Sequence, residues 1–267
     1  MSLSVVIASF NRPETLQRAI DSALQQETVE DIIVVDDASP EGTMPKAEIG
    51  GKVRVERHRE NRGCCAARNT GLNRVTTEYV AFLDDDDRLP IGVYEPLLDA
   101  LARFRSRSDT LAVAVGSGLV EKGGRVIQRR KPPSSEPTQI WGLDAFLLSA
   151  LGQSFNCKQA AVFPTQLLRD IGGWNEALRS RSQTELFFRV CSRFAVIGID
   201  HPSYLLNRDP HSHLTDDHEI RETSYRYLLN TYAHLLEEPA RLRYFRKNHE
   251  TMMNRKRFLL AADPAYA

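Results

Sequence analysis

Long apolar runs are missing from this 267-residue chain. The longest are of strand length, so no transmembrane helix is expected. The first residues run directly into a strand pattern, and no signal peptide is expected. Net charge is missing too: 35 Lys and Arg balance 35 Asp and Glu. With no global field of either sign, a nucleic-acid partner is not expected. Cysteine is scarce, with 4 in the chain and none at metal-ligand spacing. Cys64 and Cys65 are adjacent, while Cys157 and Cys191 stand alone. Free thiols in a reducing cytoplasm are the expected state. No internal repeat and no long low-complexity segment occurs. No glycine-rich phosphate loop follows the first strand, where the chain reads Ser9-Phe10-Asn11-Arg12-Pro13. That argues against a nucleotidyltransferase built on such a loop. What remains is the composition of an ordinary soluble globular protein, 42% hydrophobic and 26% charged.

The chain alternates strands with helices. Ser4–Ala8 reads as a short buried strand. Pro13 sits at a helix start, and Leu16, Ala19, Ile20, Ala23 and Leu24 then form one apolar helical face. Asp31–Val35 is the next strand and ends in Asp36-Asp37-Ala38-Ser39. Lys52–Arg57 is a third strand, Cys64–Val75 a helix of small residues, Tyr79–Leu83 a fourth strand, and Pro90–Arg105 a helix. This alternation predicts an α/β fold with a mostly parallel sheet flanked by helices. After Leu111 the pattern changes. Two strands, Leu111–Glu121 and Arg125–Arg130, flank a glycine turn. Helices are expected over Trp141–Leu151, Leu167–Ile171 and Gln183–Phe194. Further strands are expected at Lys158–Phe163, Val196–Ile199 and Tyr204–Arg208, before a helical C-terminus.

The densest chemical signal is Asp84-Asp85-Asp86-Asp87, directly after the fourth strand. Four adjacent carboxylates repel one another, and no fold requires them. Carboxyl ends of strands are where open α/β sheets bind ligands. A divalent cation relieves the repulsion, and hard oxygen ligands suit Mg²⁺ or Mn²⁺. The alternative is a solvated acidic turn.

Four segments occur in order: Ser4–Arg12, Val34–Ser39, Asn61–Gly71 and Phe82–Asp87. Together with Gly172-Gly173-Trp174-Asn175-Glu176 they resemble the family 2 glycosyltransferases of GT-A fold, over about residues 2–215. The resemblance implies a Rossmann-type GT-A domain at 1–217, with a nucleotide-binding half (1–110) and an acceptor half (111–217), then a helical extension at 218–267. It implies metal-dependent, inverting transfer of a sugar from a nucleotide diphosphate sugar, most often a UDP-sugar, to a glycan or lipid-linked acceptor. By the same resemblance Asp37 binds the base, while Ala8 and Phe10 line the base pocket. Phe10 either stacks on the base or belongs to the core. Asp36 is read as an Asx-turn residue. Arg68 reaches base or phosphate, or makes a structural ion pair. Asp86 is the direct metal ligand, Asp84 supports the metal through water or shapes the turn, Asp85 faces the ribose, and Asp87 caps the helix entered at Pro90. His211 and His213 are candidates for a further metal ligand in a loop closing over the donor.

One family position departs from the pattern. The acidic pair that supplies the general base corresponds to Ser182 and Gln183, and an amide accepts no proton at physiological pH. Glu185 is the nearest carboxylate. However, it lies about 200° around the helix from Gln183, and it is placed to pair with Arg189 at i, i+4. An acceptor that brings its own base, an amine acceptor, and a donor-binding protein without transfer are the other readings. Residues 239–257 are strongly basic with interleaved aromatics and methionines. They read as a peripheral membrane contact, or as a solvated helix packed on the domain or on a homodimer partner. The expected location is the cytoplasm, with that membrane contact at its edge.

Overall fold

A computed structural model describes residues 1–41, 51–132, 159–208 and 218–237, with single positions and short runs between 239 and 253. The helix expected over 141–151, Cys157, His211 and His213 lie outside the described residues, as does most of the basic tail. Eight strands form one sheet: β1 (Leu3–Ser9), β2 (Val29–Asp36), β3 (Val53–Arg57), β4 (Tyr79–Asp84), β5 (Ala112–Lys122), β6 (Arg125–Arg130), β7 (Ala161–Pro164) and β8 (Ala195–Asn207). Strands β3-β2-β1-β4 are parallel. Strand β7 then runs antiparallel between β4 and β5, β6 pairs antiparallel with β5, and β8 pairs parallel with β5. The mostly parallel α/β sheet expected from the alternation is therefore present. The two short strands expected at 196–199 and 204–208 form one strand with register irregularities around Pro202.

The helices are α1 (Pro13–Leu24), α2 (Cys64–Arg74), α3 (Glu95–Arg105), α4 (Thr165–Asp170), α5 (Ser182–Cys191) and α6 (His218–Thr231). Both faces of the sheet are covered. Leu16, Ile20, Leu97 and Leu101 join one core layer. Leu72, Leu167, Phe187, Phe188 and Leu228 join the other. Uninterrupted apolar strands such as Val5-Val6-Ile7 and Ile32-Ile33-Val34-Val35, wholly buried, are what a two-sided sheet requires. Helix α2 lies close on the sheet because Gly71 leaves room: a Cβ there would fall 2.3 Å from Val6 Cγ1.

Two local expectations are corrected. The helix expected from Pro90 begins at Glu95. Gln26 holds the preceding turn open by accepting the Gly92 and Val93 N–H groups and donating to the Pro90 carbonyl. Asp87 consequently caps no helix. Its Oδ1 accepts the Asn207 N–H at 2.7 Å, so it braces the acidic turn against β8.

Candidate functional site

Strands β1, β2 and β4 all end at one edge, and their register brings Ser9 beside Asp36 and Ala8 beside Asp84. The two acidic turns therefore face each other across the end of β1. Asn11 and Ala38 at this edge hold positive φ of 53° and 65°, a left-handed backbone that is costly for residues other than glycine. A hydrogen bond from Asn11 N to Ser39 Oγ, 2.8 Å long, ties the loop after β1 to the turn after β2.

Asp37 is buried and organises the loop that enters α2. Its Oδ1 meets His58 Nδ1 at 2.7 Å and the Arg62 N–H at 2.9 Å, and Oδ2 accepts the Gly63 N–H at 2.7 Å. A carboxylate oxygen has two lone pairs, so Oδ2 retains capacity for a further donor. Gly63 takes φ of 91°, which explains glycine at this turn. Asp36 accepts the Ser39 N–H in the expected Asx turn. Phe10 is 45% exposed past the end of β1, so it is not a core residue. Ala8 is partly buried against the core.

The acidic run divides its work. Asp85 is buried, accepting Ser9 Oγ at 2.8 Å and Arg12 Nη1 at 3.2 Å. Burial pushes its carboxyl up to about 6, against the opposing pull of Arg12. The same Arg12 nitrogen lies 2.8 Å from Asp86 Oδ2. Asp84 accepts Arg68 Nη2 at 2.5 Å, while the Arg68 guanidinium lies 4.5 Å from the Trp174 ring centroid. Arg68 thus makes the structural ion pair, and the Asp84 carboxylate raises its pKa against the cost of burial. Among the described residues, Asp84, Asp86 and Asp87 each present a carboxylate oxygen, all within 4.8 Å of one another. Burial, then the charges of Asp84 and Asp86, raise the Asp87 carboxyl well above its ordinary range. Three crowded hard oxygen donors fit a divalent cation, with Asp87 joining the two residues expected from the sequence.

Strand β8 fixes this turn from below. The Tyr204 hydroxyl, fully buried, accepts the Asp84 N–H at 3.0 Å. Arg88 and Leu205 exchange backbone hydrogen bonds of 3.1 and 2.9 Å. Asn69, next to Arg68, clamps the glycine segment. It accepts the Trp174 N–H and donates to the Trp174 carbonyl and Glu176. Gly173 is needed there, since a Cβ would fall 2.5 Å from Asn69 Oδ1.

Glu185 is 2% exposed and forms a two-pronged pair with Arg189, at 2.9 Å to Nε and 2.7 Å to Nη2. It also accepts the Tyr232 hydroxyl. Arg189 passes on to the carbonyls of Ile171 and Gly173 at 2.6 and 2.8 Å. These contacts brace α5 against the glycine segment and the residues after α6. Gln183 is partly exposed in the first turn of α5. Sequence reasoning missed Ser9, Arg12, His58, Tyr204 and Asn207. Ser9 and Arg12 were discoverable, since both stand in the first matching segment. His58, Tyr204 and Asn207 carry their roles through contacts 21 to 120 residues away.

The family model for glycosyl transferase family 2 matches residues 4–172. An uncharacterized glycosyltransferase of Rickettsia felis is 30% identical over 211 residues, covering 77% of this chain and 34% of that protein. The pre-mycofactocin glycosyltransferase of Mycobacterium tuberculosis is 29% identical over 216 residues, covering 80% of this chain and 44% of that protein. This chain thus spans between about a third and under half of the length of these relatives. Among solved structures, S. aureus TarS 1-349 in complex with UDP-GlcNAc superimposes with a TM-score of 0.60 at 19% identity, covering 86% of this chain and 67% of that one. The shared fold, and a family match over most of the sheet that carries both acidic turns, place this chain in glycosyl transferase family 2.

Proposed function

We propose that the chain transfers a sugar from a nucleotide diphosphate sugar, a UDP-sugar in the first instance, to a glycan or lipid-linked acceptor with inversion. The observation that carries this reading is the Asp84, Asp86 and Asp87 cluster facing the Asp37 turn across the end of β1. TarS, similar in fold, has been crystallised with UDP and with UDP-GlcNAc, which supports the donor class. Asp37 Oδ2 accepts the base imide N–H, and Phe10 covers the base face beside Ala8. Asp85 faces the ribose. Arg68 holds Asp84 in place and supplies positive charge beside the diphosphate. Asp86, Asp84 and Asp87 hold Mn²⁺ or Mg²⁺, which when bound supplies charge neutralisation for the departing diphosphate. His211 and His213 are retained as candidates for the loop over the donor. The basic tail is retained as the membrane or dimer contact.

The acceptor proton needs a base, and Gln183 with the buried Glu185 leaves that part unassigned. These two residues favour a second reading, a nucleotide-sugar-binding member of the family without transfer. Thermal melting with a nucleoside diphosphate panel, with and without Mn²⁺, tests the donor site. Ligand at one hundred times its Kd stabilises by about 2.7 kcal/mol, roughly 5–11 °C for a chain of this size. A Mn²⁺-dependent rise with UDP supports the site. No rise with any nucleotide overturns it. Asp86→Ala should abolish both the Mn²⁺-dependent part of the rise and metal-dependent donor turnover. Persistence of either refutes the metal assignment. Binding without hydrolysis or transfer supports the second reading.

A further inference from the structure

Arg12 stands between β1 and α1, as the residue before Pro13. Its backbone is fixed from both sides. The Arg12 carbonyl accepts the Leu16 N–H at 3.0 Å, the first bond of α1, and the Thr15 hydroxyl at 3.4 Å. On the other side Asn11 holds its left-handed φ of 53° and gives its N–H to Ser39. Such a backbone is costly at a residue other than glycine and persists where its surroundings impose it. The Arg12 side chain reaches the acidic run, 73 and 74 residues on. There one nitrogen serves two carboxylates: Nη1 donates to Asp86 Oδ2 at 2.8 Å and to Asp85 Oδ1 at 3.2 Å. Both carboxylates are largely buried and Arg12 is half-buried, so salt and water screen these contacts less than at an open surface. Ser9 Oγ holds the second oxygen of Asp85, which makes Asp85 the anchor of the turn. The other two members of the run have braces of their own, Arg68 for Asp84 and the Asn207 N–H for Asp87.

We propose that Arg12 is a positioning residue for Asp86: its guanidinium ties that carboxylate to the Asp85 anchor and so sets the orientation in which Asp86 meets a divalent cation. The inference rests on the metal-site reading of Asp84, Asp86 and Asp87 above and adds the residue that aims one of the three ligands.

Two effects of the guanidinium oppose each other. Its charge repels a divalent cation, so an Arg12 that only neutralised the run would weaken metal binding, and its removal would tighten it. Its hydrogen bond orients the ligand. A carboxylate offers about four lone-pair sites on its two oxygens, so the Arg12 bond directs Asp86 without exhausting it. Oxygens of Asp84, Asp86 and Asp87 stand within 4.8 Å of one another. Without Arg12, a rotamer that turns Asp86 toward water relieves that crowding and takes the ligand away from the cation. Ligating carboxylates are in turn hydrogen-bonded, and loss of such an outer partner weakens metal binding by about 10–100-fold. Orientation therefore decides the sign.

The test is Mn²⁺ titration calorimetry on the full chain as wild type, Arg12→Gln and Arg12→Lys, with and without UDP, each below its own melting point. Arg12→Gln should weaken Mn²⁺ binding by about 10–100-fold. Arg12→Lys keeps the charge on a shorter reach and should recover part of that loss. A purely structural role lowers the melting temperature and leaves the Mn²⁺ affinity of the folded protein where it was. Unchanged affinity in folded Arg12→Gln therefore overturns the proposal. Tighter binding also overturns it, by showing that Arg12 opposes the metal. Should Arg12→Gln not fold, Arg12→Lys decides: a loss of about threefold or more supports the proposal, and wild-type affinity overturns it. If wild type binds no Mn²⁺ with or without UDP, the metal-site reading and this inference fall together. If wild type binds Mn²⁺ and the variants bind it equally well, this inference alone falls.

Discussion

Replacing Glu185 separates a structural brace from a catalytic base. Its carboxylate is 2% exposed and its partner Arg189 is 21% exposed at the side chain, so the pair is only weakly screened by solvent. Removing one member of a buried pair costs about 3–5 kcal/mol. Arg189 keeps the Ile171 and Gly173 carbonyls, so the guanidinium left behind is partly satisfied. The lower end, about 3 kcal/mol, is the expected cost of Glu185→Ala. For a domain of this size each kcal/mol moves the melting point by about 2–4 °C, so a fall of about 6–12 °C is expected. Glu185→Gln keeps the shape and one acceptor oxygen, and should lose about half as much. The assay pairs calorimetric melting with UDP binding and donor turnover, measured well below the melting point of each variant. A brace predicts a lowered melting point with turnover per folded molecule close to wild type. The opposite pattern, an unchanged melting point with turnover of Glu185→Gln down by about 10²–10⁴, would refute the argument and restore Glu185 as base.

Tyr204→Phe removes the acceptor of the buried Asp84 N–H. It should destabilise by about 1–3 kcal/mol and weaken Mn²⁺ binding, read by titration calorimetry; unaltered metal affinity sinks the claim that β8 positions the turn. Asp85 titrates near 6 when folded and about 3.9 when unfolded. Between those values the native state holds more protons, so this carboxyl's contribution to stability is present below about pH 4 and is lost as pH rises to about 6. With EDTA present, the stability of Asp85→Asn relative to wild type should therefore rise by about 2–3 kcal/mol from pH 4 to 7. A flat difference in urea melts refutes the buried carboxyl. Gln183→Glu puts a carboxylate in the first turn of α5, where the dipole favours it, at the position where the family pattern carries a base. If the missing base limits the chain, donor turnover rises at least tenfold; an unchanged rate points to an acceptor that brings its own base.

The fold was legible where local rules and packing agree. Uninterrupted apolar runs bounded by turns marked β1, β2 and β4, and Pro13 with one apolar stripe marked the start of α1, although Leu24 of that stripe is exposed. The acidic run stood out as a candidate site because nothing structural asks for four carboxylates in a row. Their division of labour was not, because it is set by partners distant in sequence. Ser9 and Arg12 bury Asp85 from 76 and 73 residues away, and Asn207 turns Asp87 toward β8 from 120 residues away. The failed helix start at Pro90 has the same origin, since Gln26 captures the N–H groups that a helix would have left for its cap. Glu185 shows both halves of the rule. Its pairing with Arg189 follows from i, i+4 spacing alone, whereas the Tyr232 hydroxyl that completes its shell comes from 47 residues on. A carboxylate near a missing base is thus a weak candidate until its own partners are counted. Here two donors on Arg189 and one on Tyr232 already occupy it.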